Sequence, residues 1–165
     1  MVSAGWRVTS GEQAPDTVAR LLAALPGWFG LPASNAAYVE SARELPTYLA
    51  WPTPGSAGRS ADLPVGVLLA RRHFAEAAEI HLLAVAPGLH RRGAGKALVS
   101  ALEADLVGDG CRLLQVKTLG PSKPDAGYEM TRLFYLSAGF TPLEELGLWG
   151  PSNPCLIMVK DLVGT

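Results

Sequence analysis

Glu79-Ile-His-Leu-Leu-Ala-Val85, continuing as Ala86-Pro-Gly-Leu-His-Arg-Arg-Gly-Ala-Gly-Lys-Ala97, is the stretch whose reading decides the fold. Its first seven residues alternate as a β-strand does: Ile80, Leu82 and Ala84 share one face, and Glu79, His81, Leu83 and Val85 share the other. Pro87-Gly88 stops the strand, and a helix predicted over 91–106 follows, with Leu98, Val99, Leu102 and Leu106 as its apolar stripe. The first turn of a helix carries four N–H groups without intrahelical acceptors, and its dipole favours negative charge. Gly93 and Gly95 let the backbone approach a diphosphate, and Arg91, Arg92 and Lys96 add cations at the same place. An ordinary helix start needs neither. The segment reads as phosphate binding.

The strand itself carries a second signal. Glu79 and His81 are ionisable groups on one face of an otherwise apolar run, so they need water, partners or a chemical role.

On either side, strands and helices alternate. Strands are expected at 6–9, 47–51, 65–72, 112–118, 140–148 and 155–160. A helix over 17–25 carries Val18, Leu21, Leu22 and Leu25 on one side, and a weaker one covers 33–43. A short helix over 129–138 ends at Gly139, read as a left-handed cap. The run from Pro52 to Pro64, PTPGSAGRSADLP, is the most loop-like part of the chain and should link two antiparallel strands. GPSKPDAG forms a second loop, and GPSNP closes a final hairpin. The order implies an α/β (α+β) fold, with a mixed, mostly antiparallel central sheet and helices on both faces. Residues 1–165 are expected to form one domain, with 1–60, 65–118 and 128–165 as its successive parts.

Composition narrows the class. With 14 Lys+Arg against 15 Asp+Glu, the chain is no globally basic nucleic-acid binder. Cys111 and Cys155 cannot form a disulfide scaffold and are expected to be small buried hydrophobes rather than nucleophiles. No apolar run is long enough to span a membrane, and MVSAGWRVTSGEQ lacks the pattern of a secretory signal. A soluble, cytoplasmic protein with no membrane or nucleic-acid partner is the expectation. His73 and His90 are expected to face solvent, and no metal-ligand spacing is evident.

Three phosphate motifs compete for the turn. His90 and Ala97 break the P-loop pattern, and Leu98 breaks the dinucleotide-binding glycine fingerprint. What remains is [Q/R]-x-x-G-x-[G/A] after a strand, with His90 in the first place. This segment resembles the pyrophosphate motif of the GCN5-related N-acetyltransferases (GNAT), which bind acetyl-CoA. Thr131–Phe140, TRLFYLSAGF, resembles the family's short helix R-x-F-Y-x-x-x-G-F. The likeness runs from about Val65 to Lys160 and is weak before residue 60.

The resemblance implies an acetyl-CoA site made by Leu83, Ala84 and Val85 of the strand, by His90, Arg91, Arg92, Gly93, Ala94, Gly95, Lys96 and Ala97 of the turn, and by Phe134. It implies Glu79 as general base with His81 in reserve, Tyr135 beside the thioester sulfur as general acid, and backbone N–H near Val85 polarising the carbonyl. Met130, Leu133 and Phe134 are expected to pack the helix, leaving Tyr135 free to point elsewhere. Trp28 and Phe29, read as exposed loop aromatics, join Trp149 and Asn153 as candidates for the acceptor pocket, since aromatics can stack on a substrate or cover a cation. They serve equally well as ordinary core residues near loop ends. The implied activity is acetyl transfer to a primary amine in a ternary complex, without a metal. A non-catalytic acyl-CoA sensor and a protein N-terminal or lysine acetyltransferase are the alternatives, and a homodimer is compatible with the fold.

Overall fold

The computed structural model describes residues 2–3, 5–54 and 62–164, so the centre of the predicted 52–64 loop lies outside the described residues. The elements run β1 (Val2–Ser3), β2 (Trp6–Ser10), α1 (Pro15–Ala23), α2 (Pro32–Ser41), β3 (Thr47–Pro52), β4 (Gly66–Phe74), β5 (Ala77–Val85), α3 (Ala94–Gly108), β6 (Leu113–Leu119), α4 (Ala126–Ser137), β7 (Thr141–Leu146) and β8 (Cys155–Asp161). The chain groups into two compact units.

The first unit comprises Met1–Arg71 and Leu82–Asp105. Strand β2 pairs with β1 and β3, and β3 pairs with β4, all antiparallel. The expected link between antiparallel strands across the 52–64 segment is therefore present as the β3–β4 pair. Helix α1 starts at Pro15, whose fixed φ and missing N–H suit a first helical position. Its predicted stripe is entirely buried: Val18, Leu21, Leu22 and Leu25 are each at most 3% exposed. Each such side chain contributes about 1.5–3 kcal/mol by leaving water. The stripe of α3 is buried in the same way, and Gly66 sits against Leu98, where a Cβ would come 3.1 Å from the leucine methyl. Helix α2 buries none of its residues and is held at its start by Asn35, whose amide donates to the Phe29 carbonyl at 2.8 Å.

The second unit comprises Arg72–His81 and Leu106–Thr165. Here β5 and β6 run parallel, with Glu79 opposite Gln115 and Ile80 opposite Val116. Strand β8 lies antiparallel between β6 and β7. The mixed, mostly antiparallel sheet and four helices thus appear as expected. Most boundaries shift by one to three residues, and three of the shifts have a clear local cause. Helix α4 begins at Ala126 rather than 129, because Asp125 accepts a hydrogen bond from the Tyr128 N–H at 3.0 Å and caps the helix earlier. Strand β7 ends at Leu146, and an irregularity between Pro142 and Glu144 takes Leu143 out of the ladder. Helix α3 begins at Ala94 rather than Arg91, for a reason that belongs to the site. Among the described residues no helix is long and apolar enough to cross a membrane.

Candidate active site

In the first unit, β5 ends at Val85 and the chain reaches α3 through a turn with three left-handed residues: Gly88 (φ 79°), Arg91 (φ 62°) and Gly93 (φ 91°). A left-handed residue cannot belong to an α-helix, which is why Arg91 lies outside α3. Arg91 is a non-glycine residue in this region, a conformation that costs about 1 kcal/mol or more and persists only where the surroundings enforce it. Those surroundings are specific. The Trp6 indole N–H donates to the Arg92 carbonyl at 2.6 Å, and buried Leu89 and Ala94 anchor the turn on either side. A Cβ at Gly93 would stand 3.6 Å from Trp6 Nε1, so it is backbone conformation rather than space that calls for glycine there.

The first helical bond of this segment runs from the Ala97 N–H to the Gly93 carbonyl at 2.9 Å. The N–H groups preceding it at the helix start have no intrahelical acceptor. Arg91, Arg92 and Lys96 are exposed around them. Backbone donors, helix dipole and three cations make a cradle fitted to a diphosphate. His90 is exposed, as expected, and is also tied back to the protein: Nε2 lies 2.8 Å from the Val85 carbonyl, and Trp28 meets the ring edge-on at 5.3 Å between centroids. Its side chain ties the strand end to the turn.

In the second unit, Glu79 is 5% exposed, so its carboxylate is not left to water. Partners replace water: Lys117 Nζ donates to Oε1 at 2.9 Å, His73 Nε2 lies 2.6 Å from Oε2, and Gln115 Nε2 donates to Oε2 at 3.4 Å. Burial pushes the carboxyl's pKa up, but the hydrogen bonds from Lys117 and His73 and the Lys117 charge outweigh it, and the group is held below the usual carboxylate range. His73 is exposed, as expected, and is at the same time a partner of Glu79. Sequence reasoning missed this cluster because its members come from β4, β5 and β6. A signal existed nonetheless: Gln115 and Lys117 fall on one face of a predicted strand, two residues apart, as Glu79 and His81 do. His81 is half-buried one step further along β5. Cys111 and Cys155 are buried as expected, and burial pushes the Cys155 thiol's pKa up against the opposing charge of Lys117.

Helix α4 corrects the expected packing. Met130 and Leu133 are 44% and 51% exposed, whereas Tyr135 is 5% exposed. The cause lies at the helix end. The Phe140 N–H donates to the Tyr135 carbonyl and the Gly139 N–H to the Leu136 carbonyl, both at 3.0 Å, with Gly139 at φ 92°. This is the Schellman pattern, and its hydrophobic contact is Tyr135 against Phe140, 5.4 Å between ring centroids. Phe134 touches the same tyrosine at 5.1 Å. Tyr135 is thus no free side chain: its ring closes the helix.

The acceptor-pocket candidates divide between the units. Trp28 and Phe29 belong to the first and are half-buried rather than exposed, Trp28 against His90 and Phe29 against Tyr38 at 6.1 Å. Trp149 and Asn153 belong to the second, Trp149 exposed and Asn153 accepting a hydrogen bond from Lys123 at 3.0 Å. Among the described residues no group of three or more His, Cys, Asp or Glu is placed to hold a metal ion.

The model of a family described as Acetyltransferase (GNAT) family matches residues 25–128, more than half of the chain, ending short of Tyr135. No curated protein matches significantly. Among solved structures, a GNAT-family acetyltransferase chain from Desulfovibrio desulfuricans is 21% identical with a TM-score of 0.74, covering 96% of this chain and 98% of its own. The aminoglycoside 6'-N-acetyltransferase from Enterococcus faecium is 19% identical, with a TM-score of 0.69 and coverages of 95% and 97%. The ribosomal-protein-S18-alanine N-acetyltransferase from Escherichia coli is 18% identical, with a TM-score of 0.67 and coverages of 95% and 94%. At these identities the likeness is one of fold.

Proposed function

The chain belongs to the GNAT acetyltransferase family, and from that premise we propose that it transfers the acetyl group of acetyl-CoA to a primary amine, directly, within a ternary complex. The observation that carries this reading is the turn from Val85 to Ala97, with its left-handed residues, its helix N-terminus and its exposed Arg91, Arg92 and Lys96. On this reading the turn and the start of α3 hold the pyrophosphate through backbone N–H groups, and the end of β5 from Leu83 to Val85 lies along the pantetheine arm; Phe134 is the further residue assigned to acetyl-CoA.

The chemistry sets two proton problems. An alkylammonium titrates near the lysine value of about 10.4, so a neutral nucleophile requires a group to take up its proton. The Glu79 cluster, with His81 next along the strand face, is the assigned destination. The thiolate formed as the thioester opens needs a proton in return, and the Tyr135 hydroxyl is the assigned donor. Backbone N–H near Val85 polarises the carbonyl oxygen. Acceptors named for structural relatives, an aminoglycoside and the alanine of a ribosomal protein, set the two classes to screen first. Trp28, Phe29, Trp149 and Asn153 are the assigned acceptor contacts.

Calorimetric titration with acetyl-CoA tests the reading. Wild type should bind saturably at micromolar concentration, and a double variant Arg92→Ala/Gly95→Glu should lose binding at least 100-fold while remaining folded by circular dichroism. A folded wild type that binds no acetyl-CoA would sink the proposal.

A further inference from the structure

We propose that His73 is the group that takes the proton from the acceptor amine, and that Glu79 is the positioning residue that holds its imidazole. The proposal rests on the acetyl-transfer reading and names a residue that neither the sequence motifs nor the family resemblance assigns.

The starting point is what Glu79 already does. Three donors converge on its two oxygens: Lys117 on Oε1, His73 and Gln115 on Oε2. The carboxylate is buried and is held below the usual carboxylate range, so it remains an anion and is a weak proton acceptor at neutral pH. Buried and already accepting from three donors, it offers little room for the direct approach of an ammonium. The imidazole beside it is placed differently. The His73 side chain is 36% exposed and borders a shallow cavity of about 250 Å³, also lined by Phe74, Gln115 and Val159.

Ring chemistry completes the assignment. The bond to Glu79 uses Nε2. A neutral imidazole that donates its Nε2 proton to a carboxylate presents Nδ1 as a lone pair, and the carboxylate stabilises the cation formed when Nδ1 accepts a proton. A buried acid that fixes the tautomer and orientation of a base is the carboxylate–imidazole arrangement of hydrolytic triads. The groups facing Glu79 are His73 from β4, Gln115 and Lys117 from β6 and, through its electrostatic interaction with both Glu79 and Lys117, Cys155 from β8; His81 follows on the strand of Glu79 itself. Lys117 keeps the negative charge on Glu79 and so keeps the transferred proton on the ring.

In the step so assigned, a C–N bond forms between the amine and the acetyl carbon, and the C–S bond breaks with its electron pair on sulfur. Of the two protons the ammonium loses, the first goes to His73 Nδ1, which makes the amine a nucleophile and then passes it to solvent; the thiolate takes a proton from Tyr135, and the second proton, released as the amide forms, restores the tyrosine hydroxyl.

Two measurements test this. Steady-state kinetics with acetyl-CoA and, as acceptors, a polyamine, an aminoglycoside and an alanine-led peptide should show kcat falling about 100-fold in His73→Gln. The acidic limb of kcat/KM against pH should vanish, acetyl-CoA affinity by calorimetry should stay within twofold, and added imidazole should restore turnover in His73→Gly. Unchanged kcat and pH limb in His73→Gln would overturn the assignment of His73 alone. A wild type that binds acetyl-CoA and acetylates none of the three probes would overturn the function it rests on as well. The second measurement needs no acceptor. The chain has three histidines, so ¹⁵N imidazole spectra can be assigned by single substitutions. His73 should be the Nε2–H tautomer and should lose that preference in Glu79→Gln, whereas an Nδ1–H tautomer in wild type would refute the proposal.

Discussion

The Val85–Ala97 turn and the Glu79 cluster both arrange charge, and they do so by opposite means. In the turn, the working groups are backbone N–H donors at a helix start, supplied by consecutive residues and fixed by the left-handed angles of Gly88, Arg91 and Gly93. In the cluster, the working groups are side chains, and Lys117 stands 38 residues from the carboxylate it bonds. The turn is local in sequence and open to water. The cluster is non-local and buried at its centre. Changes in the turn should therefore act chiefly on binding, whereas changes in the cluster act on the fold and on chemistry together.

The turn yields the largest expected effect. Gly93→Val would force a β-branched residue to φ 91°, which costs about 1–3 kcal/mol of strain or a rearranged turn. Acetyl-CoA affinity should fall by more than 100-fold in calorimetry. Arg91→Gly is the sharper partner experiment. It removes one cation but relieves the left-handed strain, so the melting temperature should hold or rise while affinity drops only a few-fold. Equal losses of affinity in the two variants would mean that charge, rather than backbone shape, does the work.

The cluster comes next. Removing Glu79 strands Lys117, which is 29% exposed, and leaves His73 without its carboxylate. Glu79→Ala should cost about 2–3 kcal/mol in urea denaturation, at or below the range for breaking a buried pair because Lys117 keeps some water. The pH dependence has a definite sign. The folded carboxyl titrates below its unfolded value of 4.5, so its stabilisation is present above that value and is lost as pH falls through the lower, folded one. The stability gap between wild type and Glu79→Gln should be full at pH 7 and shrink only as pH falls below 4.5. A gap that is constant with pH would show that the interaction is not ionic.

The same contrast explains what could be read from the sequence. The strand, the turn and the stripes of α1 and α3 were legible because each is set by neighbours within a few residues: a period of two, a pair of glycines, leucines three and four apart. The partners of Glu79 on β6 were not, because strand register brings Gln115 and Lys117 to it and no local pattern encodes register. Helix α4 shows a subtler failure. Met130 and Leu133 continue an apolar stripe, but the cap at Gly139 turns Phe140 back onto Tyr135, so the tyrosine is buried and the stripe faces outward. The local capping contact at the helix end overrode helical periodicity.

Tyr135 consequently has two separable parts, and the last prediction separates them. Its ring belongs to the helix cap, between Phe134 and Phe140. Its hydroxyl is the part assigned to the departing thiolate. Tyr135→Phe keeps the ring, so stability should change by no more than about 1 kcal/mol, the net contribution of one hydrogen bond. If the hydroxyl donates a proton in the rate-limiting step, kcat at saturating acceptor should fall about tenfold, equivalent to about 1.4 kcal/mol of barrier. KM for acetyl-CoA should stay within twofold, because the ring packing that places α4 is intact. An unchanged kcat with normal stability would reduce Tyr135 to the role its burial already explains: a cap residue, fixed by Phe140, at the end of a helix.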